Sequence, residues 1–437
     1  MRIEKVLRKH SPAQHLNPNV QGLGVSATVA INDLSNELRR QGREIFKLGL
    51  GESPFPVPAP VVEALRQAAS KKHYLPVNGL LPLREAVAEH HRRHFGLDCD
   101  PDDVLIGPGS KELMFLLQLV YYGDLIIPSP SWVSYAPQAT IIGRDIHWLR
   151  TSFDHNWQLV AEELEALCFA DPDRARLLIL NYPSNPTGRT LSSAQLRDLA
   201  EVAQKYGVLV LSDEIYGKLH HEGKHESIVP LYTEGAIFSG GLSKWCGAGG
   251  WRLGVFVFPP NLRWLLDAMA SVASETFTCT SNPIQHAAVR AFQEGPEIEE
   301  YLLDQRRILK ALGNVLTLKL KDAGARVLEP EGAFYLFPDF SPFAEGFRRR
   351  GIEDDRQMCE KLLAETGVAV LPGSAFGRDA SELTARLAYV DFDGGAALEA
   401  AKRIPKHERL NESFLSESCG RTLEAVDRIA AWASQGS

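Results

Sequence analysis

The stretch Ser239-Gly-Gly-Leu-Ser-Lys244-Trp-Cys-Gly-Ala-Gly-Gly-Trp-Arg252-Leu-Gly254 holds one lysine within a run of glycines and small residues. Such a lysine does not pack a core, and its amine has space around it for a planar ligand. Arg252 follows eight positions later, and with the nearby hydroxyls it suits a phosphate group. The stretch therefore predicts a reactive amine beside a bound phosphate.

Short apolar runs alternate with amphipathic helical patterns on both sides of this stretch. Such runs are typical of parallel strands that are covered on both faces. We therefore expect an α/β fold with a mostly parallel central sheet and functional residues at the carboxyl ends of its strands. The predicted strands are 46–51, 104–107, 125–127, 175–180, 208–212, 236–239 and 253–258, and the predicted helices are 25–41, 61–69, 83–94, 112–120 and 193–206.

The rest of the chain predicts a smaller α+β domain. A long helix at 297–320 leads out of the large domain, and strands are predicted at 326–328, 332–337, 368–371 and 386–390. Residues 405–419 are polar and unpatterned, which predicts an inserted loop before a last helix at 422–432. Residues 1–21 are predicted to form an irregular arm. The expected division is a large domain at 52–300 and a small domain formed by 1–51 and 301–437.

The composition argues against several classes of partner. The chain has 437 residues, a net charge of -8 and no long basic tract, so nucleic acid and anionic membranes are poor partners. No apolar run approaches the roughly 20 residues that span a bilayer, and residues 1–10 lack the apolar block of a secretory signal. The six cysteines are scattered without a Cys-x-x-Cys pair, which predicts free thiols in a reducing cytoplasm.

Two loops that follow predicted strands have the residues of a binding site. Asn181-Tyr-Pro-Ser-Asn185-Pro186-Thr-Gly188 is dense in Asn, Pro and Gly, which is typical of a loop held in one shape. In Ser212-Asp213-Glu214-Ile215-Tyr216, an acid enters from an apolar strand. A buried carboxylate needs a cation or a hydrogen-bond donor, so stability alone does not explain Asp213.

A third loop predicts a phosphate site. Gly107-Pro-Gly109-Ser110-Lys111 opens a helix, and the free backbone amides at a helix start bind phosphate. It is not a Walker A loop, because Glu112 follows Lys111.

Three other patterns are set aside. Gly49-Leu-Gly51 is not a dinucleotide fingerprint, because Pro54 stands where the third glycine belongs. His90, His91 and His94 include an i, i+4 pair but lack the glutamate of H-E-x-x-H, which predicts a solvated helix face. His220-His221 is predicted to lie in a loop. No metal site is expected.

In their order along the chain, the loops at Gly109, Asn185, Asp213 and Lys244 resemble the motifs of class I/II aminotransferases, which are pyridoxal phosphate (PLP) enzymes of fold type I. The resemblance covers roughly residues 25–432. The resemblance implies that Lys244 forms a Schiff base with PLP. It also implies that Asp213 keeps the pyridine nitrogen protonated, so that the ring becomes an electron sink, and that Asn185 and Tyr216 bond the ring oxygen. Trp132 matches the aromatic residue that stacks on the pyridine face. The catalytic residues implied are thus Lys244, Asp213 and Tyr216.

The resemblance also implies the phosphate and substrate contacts. Tyr74 matches a tyrosine that reaches the phosphate of the neighbouring subunit, which implies a homodimer. Arg386 matches the arginine that binds the substrate alpha-carboxylate, for which its planar fork is suited. Gly241 departs from the family, where many members carry a serine, so one phosphate contact is expected to be missing. The remaining phosphate ligands are Gly109, Ser110, Lys111, Ser243 and Arg252, and the remaining substrate contacts are Gly51, Asn185 and Trp132.

The implied function is transfer of an amino group between an L-amino acid and a 2-oxo acid by a ping-pong mechanism. A beta-eliminating lyase of the same fold uses the same residues, and dependence of turnover on an oxo acid distinguishes the two. A PLP-sensing transcription regulator needs a DNA-binding domain, and residues 1–50 show no helix-turn-helix pattern or basic excess. Segment 274–281 contains no arginine, which argues against an arginine clamp for dicarboxylate substrates. The bonds Ser129–Pro130 and Asn185–Pro186 are expected to be cis.

Overall fold

A computed structural model describes residues 16–435 of the chain. Its strands are β1 (Phe46–Lys47), β2 (Val104–Gly107), β3 (Asp124–Ser129), β4 (Ile146–Arg150), β5 (Arg176–Asn181), β6 (Leu209–Asp213), β7 (Ala236–Gly241), β8 (Gly254–Val257), β9 (Tyr335–Leu336), β10 (Val368–Ala369), β11 (Leu371–Pro372) and β12 (Ala385–Ala388). Its helices are α1 (Ala27–Arg40), α2 (Ala59–Ala68), α3 (Leu81–Phe95), α4 (Ser110–Val120), α5 (Tyr135–Ile142), α6 (Ala161–Ala170), α7 (Ser193–Lys205), α8 (Arg263–Glu275), α9 (Asn282–Gln293), α10 (Pro296–Asp322), α11 (Ala344–Arg349), α12 (Asp355–Thr366), α13 (Gly394–Lys402) and α14 (Glu412–Ala433). Of the predicted irregular arm, residues 1–15 lie outside the described residues, and Pro18–Val20 form a 3-10 turn.

The core of the fold is a seven-stranded sheet with the strand order β2-β8-β7-β6-β5-β3-β4. All neighbouring pairs are parallel except the two that β8 makes. Helices cover both faces. Leu177 and Ile179 of β5 lie in the same apolar cluster as α4 and α8, whereas Leu178 and Leu180 lie in the cluster that contains α7. This arrangement explains why β5 is apolar at consecutive positions, and it confirms the predicted parallel sheet.

The carboxyl ends of three central strands meet at one edge of the sheet. Asn181 and Asp213 are the last residues of β5 and β6, and they pair in register. β7 lies on the other side of β6, with Ser239 opposite Asp213. The loop that carries Lys244 follows β7, so it leaves from this same edge.

Smaller sheets form the C-terminal part of the fold. β11, β12 and β9 make an antiparallel sheet, and β1 pairs in parallel with β10, which joins the N-terminal segment to the C-terminal part. The 27-residue helix α10 packs against α13 and α14.

Two strands predicted in this part differ from the structure. The strand predicted at 326–328 contributes only an isolated bridge between Arg326 and Asp339. The strand predicted at 368–371 is two short strands, because β10 pairs with β1 whereas β11 pairs with β12. A run of apolar residues therefore served two different sheets.

The inserted loop predicted at 405–419 is wrong in its second half. Helix α14 begins at Glu412, and the side chain of Asn411 caps it by accepting a hydrogen bond from the N–H of Phe414. Phe414 and Leu415 are buried, so tertiary packing stabilises a helix that the polar composition conceals. The backbone leaves helical geometry at Cys419, where φ is -128° and ψ is 18°.

The solvated histidine face predicted for α3 is also wrong. His90 and His91 are buried, and only His94 is exposed. The ring of His91 packs edge-on against Phe95 and Phe238. No helix in the described part of the chain is long and apolar enough to cross a membrane.

Candidate active site

A cavity of about 460 Å³ opens at the carboxyl edge of the central sheet. All the residues predicted for the site line it except Gly109 and Tyr74. The predicted residues that line the cavity are Gly51, Ser110, Lys111, Trp132, Asn185, Asp213, Tyr216, Ser243, Lys244, Arg252 and Arg386. The fold thus brings to one place residues that are widely separated in the chain.

Lys244 projects from the loop after β7, which passes close to β8. A Cβ at Gly241 would lie 2.6 Å from the carbonyl oxygen of Leu253, so the backbone as it lies here accommodates glycine but no side chain at this position. The amine of Lys244 donates a 2.6 Å hydrogen bond to the carbonyl oxygen of Gly51. Burial lowers the pKa of Lys244 to about 8, and the nearby Arg386 guanidinium contributes to this shift. The lysine can therefore lose its proton near neutral pH.

Asp213, at the end of β6, is buried without a cationic partner within 4.0 Å in the described part of the chain. Its Oδ2 accepts a 2.5 Å hydrogen bond from the hydroxyl of Tyr135. Burial raises the pKa of Asp213 to about 6, and the hydrogen bond from Tyr135 acts in the opposite direction. The side-chain amide of Asn181 holds the end of β6 by donating to the backbone oxygen of Asp213 at 2.9 Å.

Tyr216 is buried against a second tyrosine. Its hydroxyl lies 2.7 Å from the hydroxyl of Tyr335, and the two rings pack edge to face with centroids 5.5 Å apart. Burial raises the pKa of Tyr216 well above its usual range, and Tyr335 adds to the shift. Tyr216 therefore stays protonated and can act as a hydrogen-bond donor.

Arg386 is a buried arginine that no acid neutralises. It is 1% exposed, and no carboxylate of the described residues lies within 4.0 Å of it. Its Nη1 donates to Oδ1 of Asn185 at 3.2 Å, its Nη2 donates to the carbonyl oxygen of Gly49, and its Nε has no partner. The guanidinium lies 5.0 Å from the ring centroid of Tyr335 and 5.1 Å from that of Phe376. A buried, unpaired guanidinium requires an anion.

A second group of cations lies at the start of α4. Arg252 approaches so closely that a Cβ at Gly109 would lie 2.2 Å from its Nη2. The amine of Lys111 lies 4.9 Å from the ring centroid of Trp132, and burial followed by repulsion from Arg252 lowers the pKa of Lys111. Neither Arg252 nor Lys111 has an acidic partner within 4.0 Å among residues 16–435. With the free amides of the helix start, these cations form an anion site.

Tyr74 does not line the cavity of its own subunit, and it is 87% exposed. Its expected contact with the phosphate site of a neighbouring subunit stays a prediction.

One of the two predicted cis peptide bonds is wrong. The bond Ser129–Pro130 is cis, as predicted, but Asn185–Pro186 is not, and the second cis bond is Tyr182–Pro183. In this loop the hydroxyl of the buried Tyr182 lies 2.7 Å from that of Ser212.

Sequence reasoning missed several residues that line the cavity, among them three whose hydrogen bonds are described above. Tyr135, Tyr335 and Asn181 all line the cavity. Tyr135 begins α5 three positions after Trp132, and the two rings pack edge to face with centroids 5.3 Å apart, so its closeness to the predicted Trp132 is the one signal in the sequence. Asn181 is visible at the end of its strand. Nothing local distinguishes Tyr335 from its apolar neighbours in Phe334-Tyr335-Leu336.

Comparison with known proteins agrees with this geometry. Residues 43–391 match the family model for aminotransferase class I and II. This chain belongs to the class I and II aminotransferase family. It is an enzyme that transfers amino groups, and neither the lyase nor the regulator alternative is favoured.

This aminotransferase aligns with its relatives over nearly the whole length of each relative. The chain is 33% identical to the aspartate aminotransferase of Bacillus sp. (strain YM-2), over 85% of this chain and 93% of that protein. It is 30% identical to an asparagine–oxo-acid transaminase of Streptococcus mutans, over 89% of this chain and 98% of that protein. The structure of Thermus thermophilus aspartate aminotransferase with maleate matches with a TM-score of 0.82 and 30% identity, over 96% of this chain and 99% of that one. The fold is therefore fold type I.

Proposed function

We propose that this aminotransferase uses PLP, bound at Lys244, to move the amino group of an L-amino acid to a 2-oxo acid in two half-reactions. One observation carries the proposal. The cavity holds two separate cationic sites without acidic partners, Arg386 and the Arg252–Lys111 pair. The positive charges of both arginines help to lower the pKa of Lys244. Such a cavity suits two anions, a phosphate and a carboxylate, that are placed around one reactive amine.

The residues present fit PLP. The phosphate would be held by the backbone at Gly109, by the amides at the start of α4 and by Arg252. Ser110, Lys111 and Ser243 lie in the same cavity. Asp213 would pair with the pyridine nitrogen, because it is buried and lacks a cation of its own. Tyr216 and Asn185 would donate to the ring oxygen, and Trp132 would cover one face of the ring. When bound, PLP supplies an electron-withdrawing ring that stabilises negative charge at the substrate alpha carbon.

The side chains of the protein then have separate tasks. Lys244, whose pKa of about 8 leaves part of it neutral near pH 7.5, takes the proton from the substrate alpha carbon through Nζ. Asp213 holds a proton on the ring nitrogen, and Tyr135 keeps this carboxylate oriented and charged. Arg386 binds the alpha-carboxylate and so fixes the alpha carbon near Lys244.

The choice among amino acids depends on contacts to the substrate side chain. The relatives are named for aspartate, asparagine and aromatic amino acids. We propose that Arg386 serves every substrate of this enzyme, and that residues 274–281 provide no arginine for a second carboxylate.

The active unit is proposed to be a homodimer in the cytoplasm. Tyr74 is 87% exposed on its own subunit, which is consistent with a position in the phosphate site of a partner. The six cysteines are free, as expected in a reducing compartment. We also propose the domain division at 52–300 against 1–51 and 301–437. Arg386 then lies in the small domain and Lys244 in the large one, so a bound carboxylate links the two.

A single-turnover experiment tests the proposal. The PLP-loaded enzyme is mixed with an excess of amino acid in the absence of any oxo acid. We expect one equivalent of 2-oxo acid per site and no further product until a second 2-oxo acid is added. Continuous turnover with release of ammonia would instead indicate the lyase reaction.

A further inference from the structure

Three side chains outside the active site have the composition of a zinc site. His90 and His94 lie one turn apart on α3, and Glu294 directly follows α9. Their ligand atoms, one imidazole nitrogen from each histidine and one carboxylate oxygen, all lie within 4.8 Å of one another. Within residues 16–435, no other group of three or more His, Cys, Asp or Glu side chains converges in this way.

The distances between these atoms suit tetrahedral coordination. Nε2 of His94 lies 3.2 Å and 3.1 Å from the two oxygens of Glu294, and Nδ1 of His90 lies 3.2 Å from Oε1. Bonds of about 2.0–2.2 Å to a tetrahedral Zn²⁺ place neighbouring ligand atoms roughly 3.3–3.5 Å apart. Small side-chain movements would therefore suffice to place the ion between the three residues.

His90 gives an independent indication of a ligand. Its side chain is 8% exposed, and its Nδ1 has no hydrogen-bond partner although the carboxylate lies 3.2 Å away. An unpaired ring nitrogen in this environment is costly, and a metal ion would satisfy it together with the carboxylate. Glu294 also has a φ of 60°, which is uncommon for a residue with a side chain.

The site has an entrance and space for a fourth ligand. The side chain of His94 is 48% exposed, so an ion can reach the cluster from solvent. A cavity of about 350 Å³ is lined by these three residues together with His225 and Trp245, and it can hold a coordinated water. Three protein ligands and one open position are a usual arrangement for zinc.

Two cations compete with a metal for Glu294. The amine of Lys218 contacts Oε1, and Nη1 of Arg93 lies 3.6 Å from Oε2. The amine of Lys218 also lies 4.9 Å from the ring centroid of Trp245, over which it can remain when it leaves the carboxylate. We propose that His90, His94 and Glu294 bind Zn²⁺ in exchange for the ammonium of Lys218, and that the ion ties α3 to the segment after α9.

The test is titration of the PLP-loaded enzyme with Zn²⁺ against a metallochromic chelator. One saturable site per chain is expected in the wild type. His94→Ala, which alters a half-exposed residue and should fold, is expected to weaken binding at least tenfold, because it removes one of three ligands. Lys218→Met should strengthen binding severalfold by removing the competing cation. His147→Ala is the matched control, because His147 pairs with a single carboxylate, that of Asp124 at 2.9 Å, and it should bind as the wild type does.

Co²⁺ provides a second readout that does not depend on activity. Bound to this site, it should give the visible absorption bands of tetrahedral coordination, and His94→Ala should abolish them. The absence of a saturable site, or equal affinities of His94→Ala and His147→Ala, would overturn the proposal.

Discussion

The hydroxyl of Tyr135 donates a 2.5 Å hydrogen bond to Oδ2 of Asp213, and both side chains are buried. Asp213 ends a central strand, whereas Tyr135 begins a helix 78 positions earlier in the chain. The bond opposes the effect of burial, which raises the pKa of the carboxyl to about 6. Tyr135 thus favours the charged form of Asp213, the form that can hold a proton on a ring nitrogen.

Tyr135→Phe should make the enzyme more sensitive to acid. Without this donor the pKa of Asp213 rises, so its carboxylate becomes protonated at a higher pH than in the wild type. The acid limb of the kcat/KM profile should therefore move to higher pH, with a larger loss of activity at pH 6 than at pH 8. Tyr182→Phe is a suitable control, because Tyr182 is equally buried but bonds to Ser212. An acid limb that stays in place would contradict this function of Tyr135.

Asp213→Asn should have opposite effects on activity and stability. PLP should remain bound, but activity should fall by more than about tenfold, or ~1.4 kcal/mol, because a neutral amide does not hold the ring proton. In the PLP-free protein the pKa of Asp213, about 6, exceeds the usual 3.8. The folded state therefore binds the proton more tightly than the unfolded state, and this carboxyl lowers stability as pH rises through that interval.

Thermal melts of the PLP-free proteins check the second effect. Asp213→Asn should have the higher Tm at pH 8, and the difference should disappear near pH 4, where the carboxyl is protonated in the folded state. A lower Tm for the variant at pH 8 would show that the carboxylate is well compensated without a ligand.

Arg386→Lys should impair both half-reactions. Lysine keeps the charge but cannot donate to Asn185 and Gly49 while it also grips a carboxylate with two parallel bonds. We expect kcat/KM to fall for amino acids and oxo acids alike, by an amount that corresponds to a loss of about 2–4 kcal/mol in transition-state binding free energy. PLP content, measured by absorbance after release in alkali, should not change. Loss of PLP from the variant would place the carboxylate site elsewhere.

Mixed dimers test the contribution of Tyr74. Tyr74→Ala and Lys244→Ala should each be poorly active when pure. After subunit exchange, the site with an intact Lys244 can receive Tyr74 from the other subunit, so activity should reappear in the mixture. Sedimentation of a fully active monomer, or mixtures no more active than their components, would contradict a shared site.

The sequence predicted those parts of the fold and the site that have local patterns. Burial of a strand and the chemistry of a loop both produce recognisable patterns in consecutive residues. Such patterns are present in the apolar strand Arg176–Asn181 and in the loops that carry Asn185, Asp213 and Lys244. Tyr335 left no such mark. Its partner, the hydroxyl of Tyr216, is 119 positions away, and only the tertiary fold brings the two together.

Other misses have the same physical origin. The lack of the H-E-x-x-H glutamate predicts a solvated face for His90 and His91, but their neighbours in space are Phe292 and Phe238. The helix at Glu412 was missed because its stability comes from the burial of Phe414, not from helix propensity. Long-range packing decided each case.

Lys244→Ala tests the proposed function most directly. The purified wild-type protein should show the visible absorption band of lysine-bound PLP, and it should transfer amino groups to a 2-oxo acid. The variant should lack this band and lose turnover by several orders of magnitude, because the other lysine that lines the cavity, Lys111, lies over the ring of Trp132 in the proposed phosphate site. A variant that keeps the band and near-normal turnover would contradict the assignment of Lys244 as the residue that carries the cofactor and moves the proton.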